Sequence, residues 1–399
     1  MDSNTYPIEF NDYIERVFFI EDITLGTPEQ NYLVRYRGRL RSDDSIAAYD
    51  TLAELLRPNG IMPLFRIEED RQVIILIKGR PAPRPSNPWI NLLLFVLTLF
   101  SVILTGAFYG IQTSLPSEPL SAAWAIIERG WPFAVSMLGI LLAHEFGHYL
   151  AGRFHGTQVS LPYFIPFPFS AFGTLGAFIN MKEPPKNRRI LLDIGIAGPL
   201  AGLAVAIPVL LYGLSLSHVE QLPMVAQTGT QLQIEGNSIL YLLSKFLVLG
   251  KLLPEPISYG STSPLLYWIG YFFTGKPFPF GGMDVMLHPV AWAGWAGILV
   301  TALNLIPAGQ LDGGHMMFVL LGRAKALRFL PVILVLLVGM GFVWNGWWLW
   351  AAMIFFIGRA YAEVPDMITP LDTRRKLLAV LALVIFVLVF TPVPLILLG

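Results

Sequence analysis

The stretch Leu141-Leu-Ala-His-Glu-Phe-Gly-His-Tyr149 puts two imidazoles and a carboxylate within about one helical turn. Residues four apart share a helix face and lie about 6 Å apart along the axis. His144 and His148 can therefore bind one metal ion, and paired imidazoles at that spacing suit zinc. Glu145 is rotated away from that face. There it can take a proton from a water activated at the metal rather than bind the ion itself. The chain has no cysteine, which excludes thiolate zinc sites, cysteine nucleophiles and disulfides. Any metal falls to His, Asp, Glu or backbone oxygen, and there are only six histidines.

The motif sits inside an apolar run with few other charges. An ionised group at the centre of a membrane helix costs on the order of 3 kcal/mol, so such groups are kept for function. The plainer reading, a buried His144–Glu145 pair that helps helices pack, leaves His148 unexplained. A tetrahedral catalytic zinc needs a third protein ligand and one open position. Asp193, Asp284, Asp312, His288 and His315 all lie near apolar spans. Asp312 stands out in Asn304-Leu-Ile-Pro-Ala-Gly-Gln-Leu-Asp-Gly-Gly-His315, where Pro307 and Gly309 should interrupt a helix and Gly313 and Gly314 permit close backbone approach. Broken helices are tolerated at membrane depth where they line a polar cavity. Its plain alternative is a helix N-cap at the membrane surface. Asp193 is the rival carboxylate, with Arg188 or Arg189 as its ordinary partner.

The elements that must position these groups follow from composition. The 399 residues are 54% hydrophobic and 14% charged, with a formal net charge of zero. That suits a multi-pass membrane protein in a lipid bilayer and offers nothing to a nucleic acid. Residues 1–77 read as a small soluble α/β domain. It has a strand at Tyr32-Leu-Val-Arg-Tyr-Arg, a helix after Ser42-Asp43-Asp44, and two strands around the turn at Glu68-Glu-Asp-Arg71. Residues 78–88 form a basic, Pro-rich linker, and 89–399 form the membrane domain. Apolar spans are expected at about 89–110, 131–154, 190–214, 285–306, 327–343, 347–361 and 377–397, giving an α-helical polytopic membrane protein with about seven transmembrane helices. Lys and Arg cluster before the first span, between the second and third, before the fifth and before the last. This predicts an inner N-terminus and an outer 215–284 loop, whose stretches Leu240–Leu253 and Leu265–Phe273 lie in or dip into the interface. The start of the chain has neither the basic opening and apolar run of a secretory signal nor the look of a transit peptide, so the expected location is a prokaryotic cell membrane with a cytoplasmic N-terminus.

A His-Glu-x-x-His motif on one span, followed by Asn-x-x-Pro and Leu-Asp-Gly at another, resembles the site-2 protease family of intramembrane zinc metalloproteases. The likeness covers residues 131–325, the catalytic core. Phe172-Gly-Thr-Leu-Gly-Ala-Phe-Ile179 and Asp193-Ile-Gly-Ile-Ala-Gly-Pro-Leu-Ala-Gly202 look like its plastid and cyanobacterial, EGY-like branch, and no PDZ-like insertion is evident. The resemblance implies zinc on His144, His148 and Asp312, Glu145 as general base, and Asn304 positioning substrate or the oxyanion. It also implies transmembrane protein substrates cut in or next to their membrane segments.

Other features have two readings. Residues 156–184, rich in Pro, Phe and Gly, are either an aromatic-anchored interfacial loop or a re-entrant hairpin whose edge pairs with an unwound substrate. Gly198 and Gly202 suggest close helix packing. His155 reads as an interfacial histidine, His315 as a neighbour of the site, and His218 and His288 as outer-side residues unrelated to the zinc. The rival functions are a metal-ion carrier or transporter using the same polar site, and a non-catalytic scaffold. Neither needs Glu145 beside a metal-binding histidine.

Overall fold

The structure, a computed structural model, describes residues 10–27, 29–79, 86–109, 115–225 and 232–398. Most of the expected linker, including Arg80 and Arg84, lies outside the described residues.

The N-terminal region opens with the short helix α1 (Asn11–Glu15) and strand β1 (Phe18–Leu25), neither expected from the sequence. Strand β2 (Val34–Leu40), helix α2 (Ser45–Leu56) and strands β3 (Ile61–Glu68) and β4 (Arg71–Lys78) fall where alternation and turn residues predict them. Asp44 caps α2, its carboxylate accepting the Ala47 N–H at 3.0 Å. The sheet is antiparallel throughout, in the order β1-β2-β4-β3. It is therefore a sheet with helices packed on it rather than a parallel βαβ arrangement. Phe10, Ile14, Phe18, Tyr36, Leu52, Leu56, Phe65 and Ile74 form its core.

Each expected apolar span contains a helix, though 285–306 is helical only from Pro289 and 377–397 only as far as Val389: α3 (Pro88–Tyr109), α4 (Pro119–Phe154), α5 (Arg188–Ser215), α8 (Pro289–Asn304), α10 (Arg323–Gly341), α11 (Gly346–Ile357) and α12 (Thr373–Val389). Among the described residues, α3, α4, α5 and α10 are long and apolar enough to cross a membrane. Helix α4 begins twelve residues earlier than hydropathy suggests. Pro119 occupies its first turn, where a missing N–H costs nothing, and the 36-residue helix extends about 54 Å, well beyond a hydrocarbon core. Outward faces are apolar: Trp89, Phe100, Val335, Phe356 and Leu377 are each more than 60% exposed, as lipid-facing residues are. The stretches expected to lie in the interface form α6 (Ile239–Leu249) and α7 (Pro264–Thr274). Two small ribbons accompany them: β7 (His218–Gln221) with β9 (Met283–Met286), and β8 (Leu232–Glu235) with β10 (Leu395–Leu398).

Residues 156–184 fold as a hairpin, β5 (Tyr163–Pro166) against β6 (Thr174–Phe178). Its irregular backbone is satisfied from α3. Asn91 Nδ2 donates to the Leu161 and Pro162 carbonyls at 3.0 and 2.9 Å. The Ser101 hydroxyl donates to Gly173 O at 2.5 Å, and the Tyr109 hydroxyl donates to Ala171 O. Backbone carbonyls away from water must find donors, and this explains why an otherwise apolar helix carries those residues on one face.

The N-terminal sheet is joined to the helices by residues 363–369, between α11 and α12. Phe65 N donates to Pro365 O and Met367 N to Phe65 O, at 2.9 and 3.0 Å. Asp366 N donates to Lys186 O at 2.8 Å. Ile368 enters the core of the sheet region, and the Ser45 and Thr369 hydroxyls lie 2.8 Å apart. Burial pushes the Asp366 carboxyl up, and the hydrogen bonds it accepts from Thr369 and Ile368 only partly offset this. The basic flanks gather on the same side. Arg375 holds Asp193 through two bonds of 2.9 and 2.5 Å, and His155 Nε2 lies 3.0 Å from the same carboxylate. Asp193 is thus tied to Arg375 and His155, not to Arg188 or Arg189. His155 is a partner of the Asp193 carboxylate.

Candidate metal centre

Three donor atoms from two helices meet at one point. Helix α4 supplies His144 and His148. Helix α9 (Asp312–Leu321) supplies Asp312 from its first residue. His144 Nε2 and His148 Nε2 are 3.2 Å apart, and Asp312 Oδ2 lies 3.3 Å from the first and 3.4 Å from the second. A tetrahedral ion with bonds of about 2.0–2.1 Å needs donors about 3.3–3.4 Å apart. The observed triangle fits zinc, with one face left open. Among the described residues this is the group of His, Asp and Glu side chains able to hold a metal ion.

The delivery of Asp312 depends on a break in the chain. Helix α8 ends at Asn304, and the backbone turns through Pro307 and Gly309, the latter in the left-handed region at φ 57°. Gly313 lets α9 start against that turn, since a Cβ there would lie 1.9 Å from Leu305 O. The side chain of Asp312 caps no helix; its carboxylate faces the imidazoles.

Helix α5 is the bed on which the imidazoles lie. His148 Nδ1 is 2.7 Å from Ile194 O. A carbonyl can only accept, so the proton sits on Nδ1 and the Nε2 lone pair faces the other donors. Gly198 and Gly202 are small to admit these rings. A Cβ at Gly198 would lie 2.1 Å from His148 Nε2, and one at Gly202 would lie 3.1 Å from His144 Nδ1. The expected role in close packing is therefore specific: the glycines pack against the metal-facing histidines themselves.

The remaining groups line a cavity of about 650 Å³. Glu145 is 4% exposed and lines this cavity opposite the chain that continues from β6. Residues 177–181 form one wall of the cavity. Asn304 Nδ2 lies 3.3 Å from His144 Nε2. Tyr361, Ala362 and Glu363, which lead into the segment gripped by the N-terminal sheet, line the mouth with Lys182 and Pro184. His315 also lines the cavity. The other sequence candidates lie elsewhere: Asp284 is buried with its carboxylate on Val285 N, His288 caps α8, and His218 pairs with Glu220 at the surface. The residues that sequence reasoning missed are Asn91, Ser101 and Tyr109. Their only signal was a polar face on an apolar span.

The profile of peptidase family M50 matches residues 132–344, which include all three converging donors. Among curated proteins, the chain is 27% identical to "Probable zinc metalloprotease EGY2, chloroplastic" of Arabidopsis thaliana, over 98% of this chain and 66% of that protein. It is 30% identical to "Probable zinc metalloprotease EGY1, chloroplastic" of the same plant, over 80% of this chain and 56% of the relative. It is 27% identical to "Probable zinc metallopeptidase EGY3, chloroplastic", over 77% and 50% respectively. The chain spans between half and two thirds of the length of these relatives. The match covers more than half of the chain, including the helix with the paired histidines and the break that delivers Asp312, and on that ground the chain belongs to peptidase family M50.

Proposed function

We propose that this protein is a membrane-embedded zinc endopeptidase that hydrolyses peptide bonds in or next to transmembrane segments of other membrane proteins. The observation that carries this reading is the triangle of His144, His148 and Asp312, with Glu145 beside it in the same cavity. His144, His148 and Asp312 would hold the ion. When bound there, zinc would supply Lewis-acid polarisation of a peptide carbonyl and a water whose pKa is lowered towards 7. Glu145 takes the proton of the attacking water and passes it to the leaving amine. Asn304, aimed at the same point, holds the carbonyl end of the substrate.

A substrate helix must unwind before water reaches its backbone, because helical carbonyls are already bonded and covered. The β6 edge and its continuation along the cavity offer such a segment a strand to pair with. We take the seven apolar helices as seven spans. The N-terminal sheet region then lies on the cytoplasmic side, as a soluble domain of residues 1–77 on the basic flank. The side chains of Lys186, Arg188 and Arg189 and the 363–369 segment all meet on that side, which supports the orientation. The site then opens nearer the inner face than the midplane.

The test is Glu145→Gln in purified protein, with zinc measured by mass spectrometry and cleavage of a transmembrane peptide followed in detergent. The peptidase keeps stoichiometric zinc and loses cleavage by on the order of 10²–10⁴. A metal-ion carrier keeps zinc flux through vesicles carrying the same variant. Flux without any cleavage by the unaltered chain would sink the peptidase reading.

A further inference from the structure

The reading above leaves His315 without a task. It lies three residues after Asp312 on α9, so both side chains share a helix face. It is 7% exposed and lines the cavity with Glu145, Asn304 and Asp312. Its Nδ1 is buried and has no partner among the described residues. A buried N–H with no acceptor costs about 1–3 kcal/mol. Carrying the proton on Nε2 replaces that orphaned N–H with an unpaired Nδ1 lone pair, the less unfavourable of the two, and leaves a donor for the cavity.

The start of α9 points to the same task. The first N–H groups of a helix have no acceptor within it, and that end carries partial positive charge. Gln310, Leu311 and Asp312 bring this end to the cavity wall. An N–H donor and a positive helix end together favour an oxygen that becomes negative during the reaction. In peptide hydrolysis that oxygen is the carbonyl oxygen of the scissile bond.

We propose that His315 is a catalytic residue that donates a hydrogen bond from Nε2 to the scissile carbonyl oxygen as it becomes an oxyanion. The inference rests on the peptidase reading. As water oxygen bonds to the carbonyl carbon, the π pair moves onto the carbonyl oxygen and the water proton passes to Glu145. His315 shares its proton without transferring it. On collapse the carbon–oxygen double bond re-forms and the carbon–nitrogen bond breaks. The departing nitrogen takes the proton from Glu145.

The experiment compares His315→Phe and His315→Gln with the unaltered chain. It uses a fluorogenic transmembrane peptide and a phosphinic analogue whose tetrahedral phosphorus anion replaces the scissile carbonyl. In His315→Phe, kcat falls on the order of 10²-fold while KM and zinc content hold. Affinity for the phosphinic analogue falls in parallel, while affinity for the ordinary peptide, measured in the Glu145→Gln background, does not. His315→Gln keeps an N–H donor and recovers part of the loss. A Phe variant with unchanged kcat, or zinc loss in both variants, or a Gln variant as slow as the Phe variant overturns the proposal. If the unaltered chain cleaves nothing, the peptidase reading fails instead, so the two failures are distinguishable.

Discussion

Gly198 of one helix faces His148 of another so closely that a single added carbon at Gly198 would lie 2.1 Å from Nε2, the atom that completes the donor triangle. The imidazole cannot retreat without breaking its 2.7 Å contact to Ile194 O. Gly198→Ala therefore lowers zinc affinity by about 10–100-fold, read by competition with a chelator of known affinity. Gly202→Ala meets His144 at 3.1 Å and costs less. Equal losses at the two positions would show that general helix packing, not the histidine contact, is at stake.

The two carboxylates that compete for the third position in the sequence separate cleanly by metal content. Asp312→Ala removes a donor from the triangle, and zinc falls well below stoichiometric after dialysis. Asp193→Ala breaks the pairing with Arg375 and His155 and lowers thermal stability while zinc stays bound. The reverse pattern would show that Asp193 holds the metal.

Asn91 holds the two carbonyls, of Leu161 and Pro162, that lead into the β5–β6 hairpin. Asn91→Leu leaves both without that donor, at a cost of about 1–3 kcal/mol. Unfolding in detergent should shift accordingly. Because residues 177–181 line the cavity, cleavage should fall while zinc content holds. A variant with full activity would show that the hairpin does not need this anchor.

Ile368 ties the 363–369 segment into the core of the N-terminal sheet. Ile368→Asp buries a charge there and should cost at least about 2 kcal/mol. Limited trypsin digestion then separates the sheet region from the helices faster, with zinc unchanged. Digestion at the original rate would mean that the remaining hydrogen bonds at Phe65 and Lys186 suffice.

The helical class, the four long apolar helices and four N-terminal elements were legible in order along the chain. Each depends on local periodicity, on cap and turn residues, or on the length of an apolar run. The start of α4 was misplaced because hydropathy marks where lipid ends, not where a helix begins. Strand β1 was missed because its residues alternate poorly: Phe19, Ile23 and Leu25 are exposed beside a buried Phe18. The pairing of His144 with His148 was decided within four residues, since helical spacing alone puts them on one face. Glu145 beside them was equally local. The place of Asp312 was not local, because 164 residues separate it from His148 and nothing in that interval fixes a distance. Only the packed structure, with the break after Asn304 and Gly313 against Leu305 O, brings its carboxylate to the two imidazoles. The same holds for Gly198, Asn91 and Ile368, whose partners lie on other elements and exist only once the helices and the sheet have packed.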